Sequence, residues 1–249
     1  MAVVDWPQAI LFVRPYIVKI STPRVSGTGF LITSAKSNNL CGIATAAHVV
    51  NNAHYWEEPI RIQQIESGQS TLFRPADRAI LVDDSLDTAA IVVDRGSFTF
   101  PETQLELIPE KMSLKLGHEV GWLGFPALAP GDLCFFTGRA SCWRQEAGEY
   151  LVDGVAINGV SGGPAFHLAV DVPVRVIGVV SAYIANRATG EALPGLCVIR
   201  DVKQLQDLIK RFRSMDEAKE EERPPSATPP APPNPPAEGV PTGVERRGA

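Results

Sequence analysis

The chain has 249 residues, 45% of them hydrophobic, and a formal net charge of −5 at pH 7. That length and apolar fraction suffice for one large β domain or two smaller ones around a substantial core. An acidic balance, with a pI near 5.4, argues against nucleic acid as a partner.

Residues 1–7 show no basic stretch leading into a long apolar one, and no apolar run approaches membrane-spanning length, so a cytoplasmic location is expected. Cys41, Cys134, Cys142 and Cys197 form no Cys-x-x-Cys pair. Such spacing does not supply a zinc site, and buried, reduced thiols are the simplest expectation.

In chain order, Ile10-Leu11-Phe12-Val13 and Tyr16-Ile17-Val18-Lys19-Ile20 read as strands, being rich in β-branched and aromatic residues. Ser26-Gly27-Thr28-Gly29-Phe30-Leu31-Ile32-Thr33 reads as a glycine-punctuated, twisted strand rather than a phosphate loop, because no third glycine or lysine completes that motif. Residues 41–50 form an apolar strand running into small residues and His48; by contrast, His54, His118 and His167 lack a comparable setting. Two or three strands follow over 60–82. Asp83 and Asp84 then read as solvated turn residues, while Asp87 stands at the start of an apolar strand, where burial demands a hydrogen-bond partner.

Residues 94–113 are a Pro-containing link. Strands resume at 120–126, 133–141, 150–157, 165–168 and 174–182. Short strands with frequent Gly and Pro turns indicate an all-β barrel or sandwich. The first convincing helix spans about 201–215, capped by Asp201, with Val202, Leu205, Leu208, Ile209, Phe212 and Met215 on one face. Beyond it, residues 216–249 are charged and then Pro-rich, a composition expected to stay disordered.

The chemistry concentrates at Asn158-Gly159-Val160-Ser161-Gly162-Gly163-Pro164, where glycines let backbone N–H groups crowd around a serine hydroxyl. Two N–H groups beside a nucleophile are the parts of an oxyanion site. His48, Asp87 and Ser161 supply base, orienting carboxylate and nucleophile, provided the fold brings them together.

Their order and contexts resemble the chymotrypsin-like (trypsin-fold) serine proteases, above all the bacterial HtrA-like branch. Four blocks carry the resemblance: Gly27-Thr28-Gly29-Phe30, Thr45-Ala46-Ala47-His48-Val49-Val50, Asp87-Thr88-Ala89 and Gly159-Val160-Ser161-Gly162-Gly163-Pro164. The likeness implies two antiparallel, six-stranded-type β-barrels, one over about 10–100 and one over about 114–200. With the helix they would form a protease domain covering 1–215. His48 and Asp87 would come from the first barrel, Ser161 from the second, and the oxyanion hole would be the N–H groups of Gly159 and Ser161. No metal or organic cofactor is implied.

The resemblance also assigns a binding groove for a protein or peptide substrate. Ser181, Ala182 and Tyr183 would line extended substrate, and Gly195 would lie on the other wall of the specificity pocket. Val155, six residues before Ser161, stands where trypsins carry an acidic floor. An uncharged floor gives Arg or Lys no counter-charge, so small or medium apolar P1 residues are expected; Asp153 lies nearby. Tyr183 would narrow the pocket mouth.

Two departures stand out. Val160 replaces the aspartate that pairs with a new N-terminus in the digestive enzymes, so that activation switch is absent. Where a PDZ domain usually follows in the HtrA-like branch, this sequence runs into one helix and a Pro-rich tail. Control by a regulatory protein partner is left open, and no membrane partner is expected.

Two other readings compete. Gly159-Val160-Ser161-Gly162-Gly163 also fits the nucleophile elbow of α/β-hydrolases, but that fold needs a helix after the serine and a histidine far downstream. Pro164 opposes the helix, and the only later histidine, His167, is too near. The other is a catalytically silent or partner-activated peptide-binding module on the same scaffold.

Overall fold

The computed structural model describes residues 5–34, 39–186 and 193–221. Its first sheet has seven strands: β1 (Ile17–Ser21), β2 (Ser26–Ser34), β3 (Leu40–Thr45), β4 (Ile60–Gln64), β5 (Ser70–Phe73), β6 (Arg78–Asp83) and β7 (Thr88–Asp94). They run antiparallel in the order β5-β4-β1-β2-β3-β7-β6. The second sheet is a closed six-stranded barrel of β8 (Glu119–Gly124), β9 (Cys134–Arg144), β10 (Glu149–Asp153), β11 (Pro164–Leu168), β12 (Val174–Asn186) and β13 (Leu193–Asp201). The all-β, two-barrel expectation holds. The first sheet carries a seventh strand and curls as a barrel-like sheet whose end strands β5 and β6 do not pair.

Residue patterns account for this layering. β4 alternates buried Ile60, Ile62 and Gln64 with exposed Arg61 and Gln63, as a strand with one wet face must. β7 is buried along nearly its whole length because it pairs with β3 and β6 and α3 (Val202–Glu221) packs nearby. One hydrophobic cluster joins the two sheets, with Phe30 of β2 and with Trp122, Tyr150 and Phe166 of the barrel fully buried within it.

Three sequence expectations need correction. Residues 10–13 are the end of helix α1 (Trp6–Val13), not a strand. Asp5 accepts the Gln8 N–H at 3.0 Å and Pro7 lies in the first turn, so capping and a pre-set φ override the β-rich composition. Trp6 packs its ring on Phe135 and Phe166 of the barrel, at 5.3 and 6.0 Å between centroids. The strand expected over 41–50 ends at Thr45, and α2 (Ala47–Tyr55) carries His48, so helices precede the one expected near Asp201.

Thirdly, α3 runs on to Glu221, past the expected end at 215, because Ala218, Lys219 and the glutamates that follow are good helix formers. Asp201 caps it through the Lys203 N–H at 2.9 Å. The tail expected over 216–249 lies outside the described residues from 222 onward.

Candidate active site

His48 lies in the first turn of α2, where four N–H groups lack helical partners. The residue before the helix, Ala46, has no side chain to cap it. Asp87 does the work from the far side of a turn: its Oδ1 accepts the His48 backbone N–H at 3.0 Å. The same carboxylate faces the His48 ring, with Nδ1 3.0 Å from Oδ1 and 2.9 Å from Oδ2. A carboxylate only accepts, so Nδ1 carries the proton and Nε2 is left as the basic nitrogen.

Asp87 sits at φ +47°, in the left-handed region that aspartate tolerates better than most residues. Ser181 of β12 donates its hydroxyl to Asp87 Oδ2, closing the set from the second barrel. Burial pushes the Asp87 carboxyl up, but the hydrogen bonds from His48 and Ser181 outweigh it and hold the group below the ordinary carboxylate value.

Asp84 is exposed, as expected of a turn residue, but it is not merely solvated. Asn51 donates to its Oδ1 at 2.5 Å, and the Tyr55 hydroxyl donates to its Oδ2. His48, Asn51 and Tyr55 recur at three- and four-residue spacing, so one face of α2 is tied to the turn twice, through Asp87 and through Asp84.

Ser161 belongs to the turn between β10 and β11. The Val160 N–H donates to Ile157 O at 3.0 Å and Gly159 has φ +93°, which makes residues 157–160 a type II turn with glycine where φ must be positive. The Asn158 carbonyl accepts from Ala127 N–H at 2.7 Å. Within a trans peptide the C=O and N–H point opposite ways, so the Gly159 N–H faces away from Ala127. Among the described residues, the N–H groups of Gly159 and Ser161 donate to no protein acceptor. Gly162, at φ +90°, admits no side chain: a Cβ there would stand 2.0 Å from Thr28 O.

The Ser161 hydroxyl donates to the Ser181 carbonyl at 3.2 Å. Among the described residues no hydrogen bond joins it to His48. Val155 follows β10 and is 44% exposed. Gly195 and Leu196 run between β10 and β12, with Leu196 paired to Asp153 and Ile184. Ser181 is buried and Ala182 exposed; the Tyr183 side chain, expected to narrow the pocket mouth, lies outside the described residues.

The trypsin-like peptidase domain family matches residues 27–179, a span that takes in His48, Asp87 and Ser161. The chain belongs to this family. Its fold is shared with solved structures of low identity. The serine endoprotease of Yersinia pestis has a TM-score of 0.62 at 16% identity, covering 85% of this chain and 67% of that one. A mutant of Rv3671c from M. tuberculosis in its inactive form gives 0.56 at 20%, covering 90% and 95%. Deg5 gives 0.59 at 14%, covering 81% and 90%. No curated protein matches the chain in sequence.

Sequence reading placed Ser181 in the substrate groove and gave its hydroxyl no role. It also missed the carboxylate cap on α2, the Asp84 contacts and the Ala127 anchor. Ala46 was the available signal for the cap: a helix start without Ser, Thr, Asp or Asn must find its acceptor elsewhere.

No helix among the described residues is long and apolar enough to cross a membrane.

Proposed function

We propose that this trypsin-like peptidase is a serine endopeptidase acting through His48, Asp87 and Ser161. Rotation of Ser161 about χ1 moves its hydroxyl from Ser181 O toward His48 Nε2. His48 then takes the proton as Oγ bonds to the substrate carbonyl carbon, and Asp87 stabilises the imidazolium. The N–H groups of Gly159 and Ser161 donate to the oxyanion. His48 returns the proton to the departing amine, and water then releases the acyl group by the same steps in reverse order of roles.

Extended peptide lies along the 181–183 segment of β12 in this reading, with its P1 side chain toward Val155. A half-exposed valine favours small or medium apolar P1 groups. The peptidase unit in this reading spans residues 1–215, with both sheets and the C-terminal helix as far as 215, and the chemistry calls for no cofactor.

The observation that carries this reading is the His48–Asp87 pair, fixed by ring and backbone bonds at once. A specific contact favours the second reading, a silent or partner-activated peptide-binding module: the Ser161 hydroxyl is held by Ser181 O instead of His48. Fluorophosphonate labelling separates the two. Wild type is expected to label at Ser161, and Ser161→Ala and His48→Ala are expected not to; a folded wild type that stays unlabelled sinks the endopeptidase reading.

A further inference from the structure

Thr28 is fully buried, yet every polar atom it has is used, and three of its four hydrogen bonds cross from the first sheet to the second barrel. Its backbone N–H donates to Ser161 O at 2.9 Å. Its hydroxyl donates to Gly159 O at 2.8 Å and accepts from Phe125 N–H at 3.0 Å. Its carbonyl takes the Thr45 hydroxyl at 2.7 Å.

We infer that Thr28 is a positioning residue for the oxyanion turn, holding the Gly159 and Ser161 N–H groups at the angle that a tetrahedral intermediate requires. The inference rests on the proposed endopeptidase reading. Every carbonyl along the turn from 158 to 161 is held: Asn158 O by Ala127 N–H, Gly159 O by the Thr28 hydroxyl, Val160 O by the Gly163 N–H at 3.0 Å, and Ser161 O by the Thr28 N–H. A planar peptide cannot rotate its N–H without moving its carbonyl. The Gly159 N–H shares its peptide with Asn158 O and the Ser161 N–H with Val160 O; Thr28 holds the unit between these two and the unit after them, so neither donor can swing far without straining a bond to Thr28.

Its hydroxyl has one proton to give, and Phe125 N–H, itself a donor, forces that proton toward Gly159 O. The surroundings are closed to any larger arrangement: a Cβ on Gly124 would stand 3.0 Å from Thr28 Oγ1. An oxyanion site works only if its donors are preorganised. A turn of glycines has little stiffness of its own, so the stiffness is borrowed from β2.

A simple staple between sheets would affect folding and substrate binding alike. A positioning residue acts on the transition state, where the turn is used, and leaves the ground state alone. Thr28→Val keeps the branched shape and deletes the hydroxyl; Thr28→Ser keeps the hydroxyl and deletes the methyl.

The test measures kcat, KM and inhibition by a peptide aldehyde, which forms a tetrahedral adduct, on full-length wild type, Thr28→Val and Thr28→Ser. Thr28→Val is expected to lose kcat by about 10- to 100-fold, to weaken the aldehyde by a similar factor, and to keep KM within about twofold. Thr28→Ser is expected to stay near wild type. A folded Thr28→Val with wild-type kcat and aldehyde affinity overturns the inference, as does an equal loss in Thr28→Ser. If Thr28→Val and Thr28→Ala both fail to fold beside a folded Thr28→Ser, the hydroxyl serves the fold and the inference is again overturned. A wild type inert to fluorophosphonate defeats the endopeptidase reading itself, whereas a labelled wild type matched by Thr28→Val defeats only the role given to Thr28.

Discussion

Asp87 both orients the His48 ring and caps the helix that bears it, through bonds of 2.9 and 3.0 Å from one carboxylate. Because its folded value lies below the ordinary one, ionised Asp87 contributes stability above the ordinary carboxylate range. That contribution disappears as pH falls through the folded value. Ser181→Ala removes one of the bonds that hold the value down. We expect its acid-unfolding midpoint to move to higher pH and kcat/KM to fall about 10- to 100-fold, as for loss of a hydrogen bond to a charge. An unchanged acid midpoint would show that the Ser181 contact does not matter energetically.

Asp84 raises the Tyr55 phenol above its ordinary value by accepting a hydrogen bond from its hydroxyl. In Asp84→Asn, the spectrophotometric titration of Tyr55 should move down toward that of a free tyrosine. Both groups are exposed, so the accompanying loss of kcat/KM should stay below about tenfold. A titration that does not move removes Asp84 from the tie between α2 and its turn.

Val155→Asp places a carboxylate where the proposed P1 pocket has a half-exposed valine. Cleavage of a peptide library should turn toward Arg and Lys, with the basic-to-apolar ratio of kcat/KM rising about tenfold or more. Wild type preferring basic P1 residues would refute the pocket assignment.

In Gly162→Ala, the added Cβ meets backbone and hydroxyl oxygens at 2.0 and 2.2 Å, at a φ that alanine avoids. The expected loss exceeds about 2 kcal/mol, or about 4 °C or more in Tm, together with loss of fluorophosphonate labelling. Calorimetry showing an unchanged Tm would contradict this geometry.

Burial pushes the Cys41 and Cys197 thiols up to about 12. Native protein treated with iodoacetamide near about pH 8 should spare both, and denaturant should expose them. Mass spectrometry finding either one modified in the native state would count against their burial.

What was legible in the sequence was local. Gly-x-Ser between glycines, a histidine after two alanines and an aspartate before an apolar strand each announce themselves within a few residues. The β-rich run at 10–13 misled because its helix is decided by Asp5 and Pro7 upstream and by an aromatic partner far away. The hydroxyls of Thr28 and Ser181 were invisible for a related reason. A hydroxyl can donate or accept almost anywhere, and only the folded chain reveals that their partners are Gly159 and Asp87.

The seat of Trp6 against Phe135 and Phe166 has a temporal consequence during synthesis. Helix α1 emerges before either sheet, but its docking surface belongs to strands made much later. At roughly 5–20 residues per second the ribosome needs about 10–30 s to reach Phe166. Through that interval the indole has no barrel to pack on, so a segment made before both sheets is among the last to find its place.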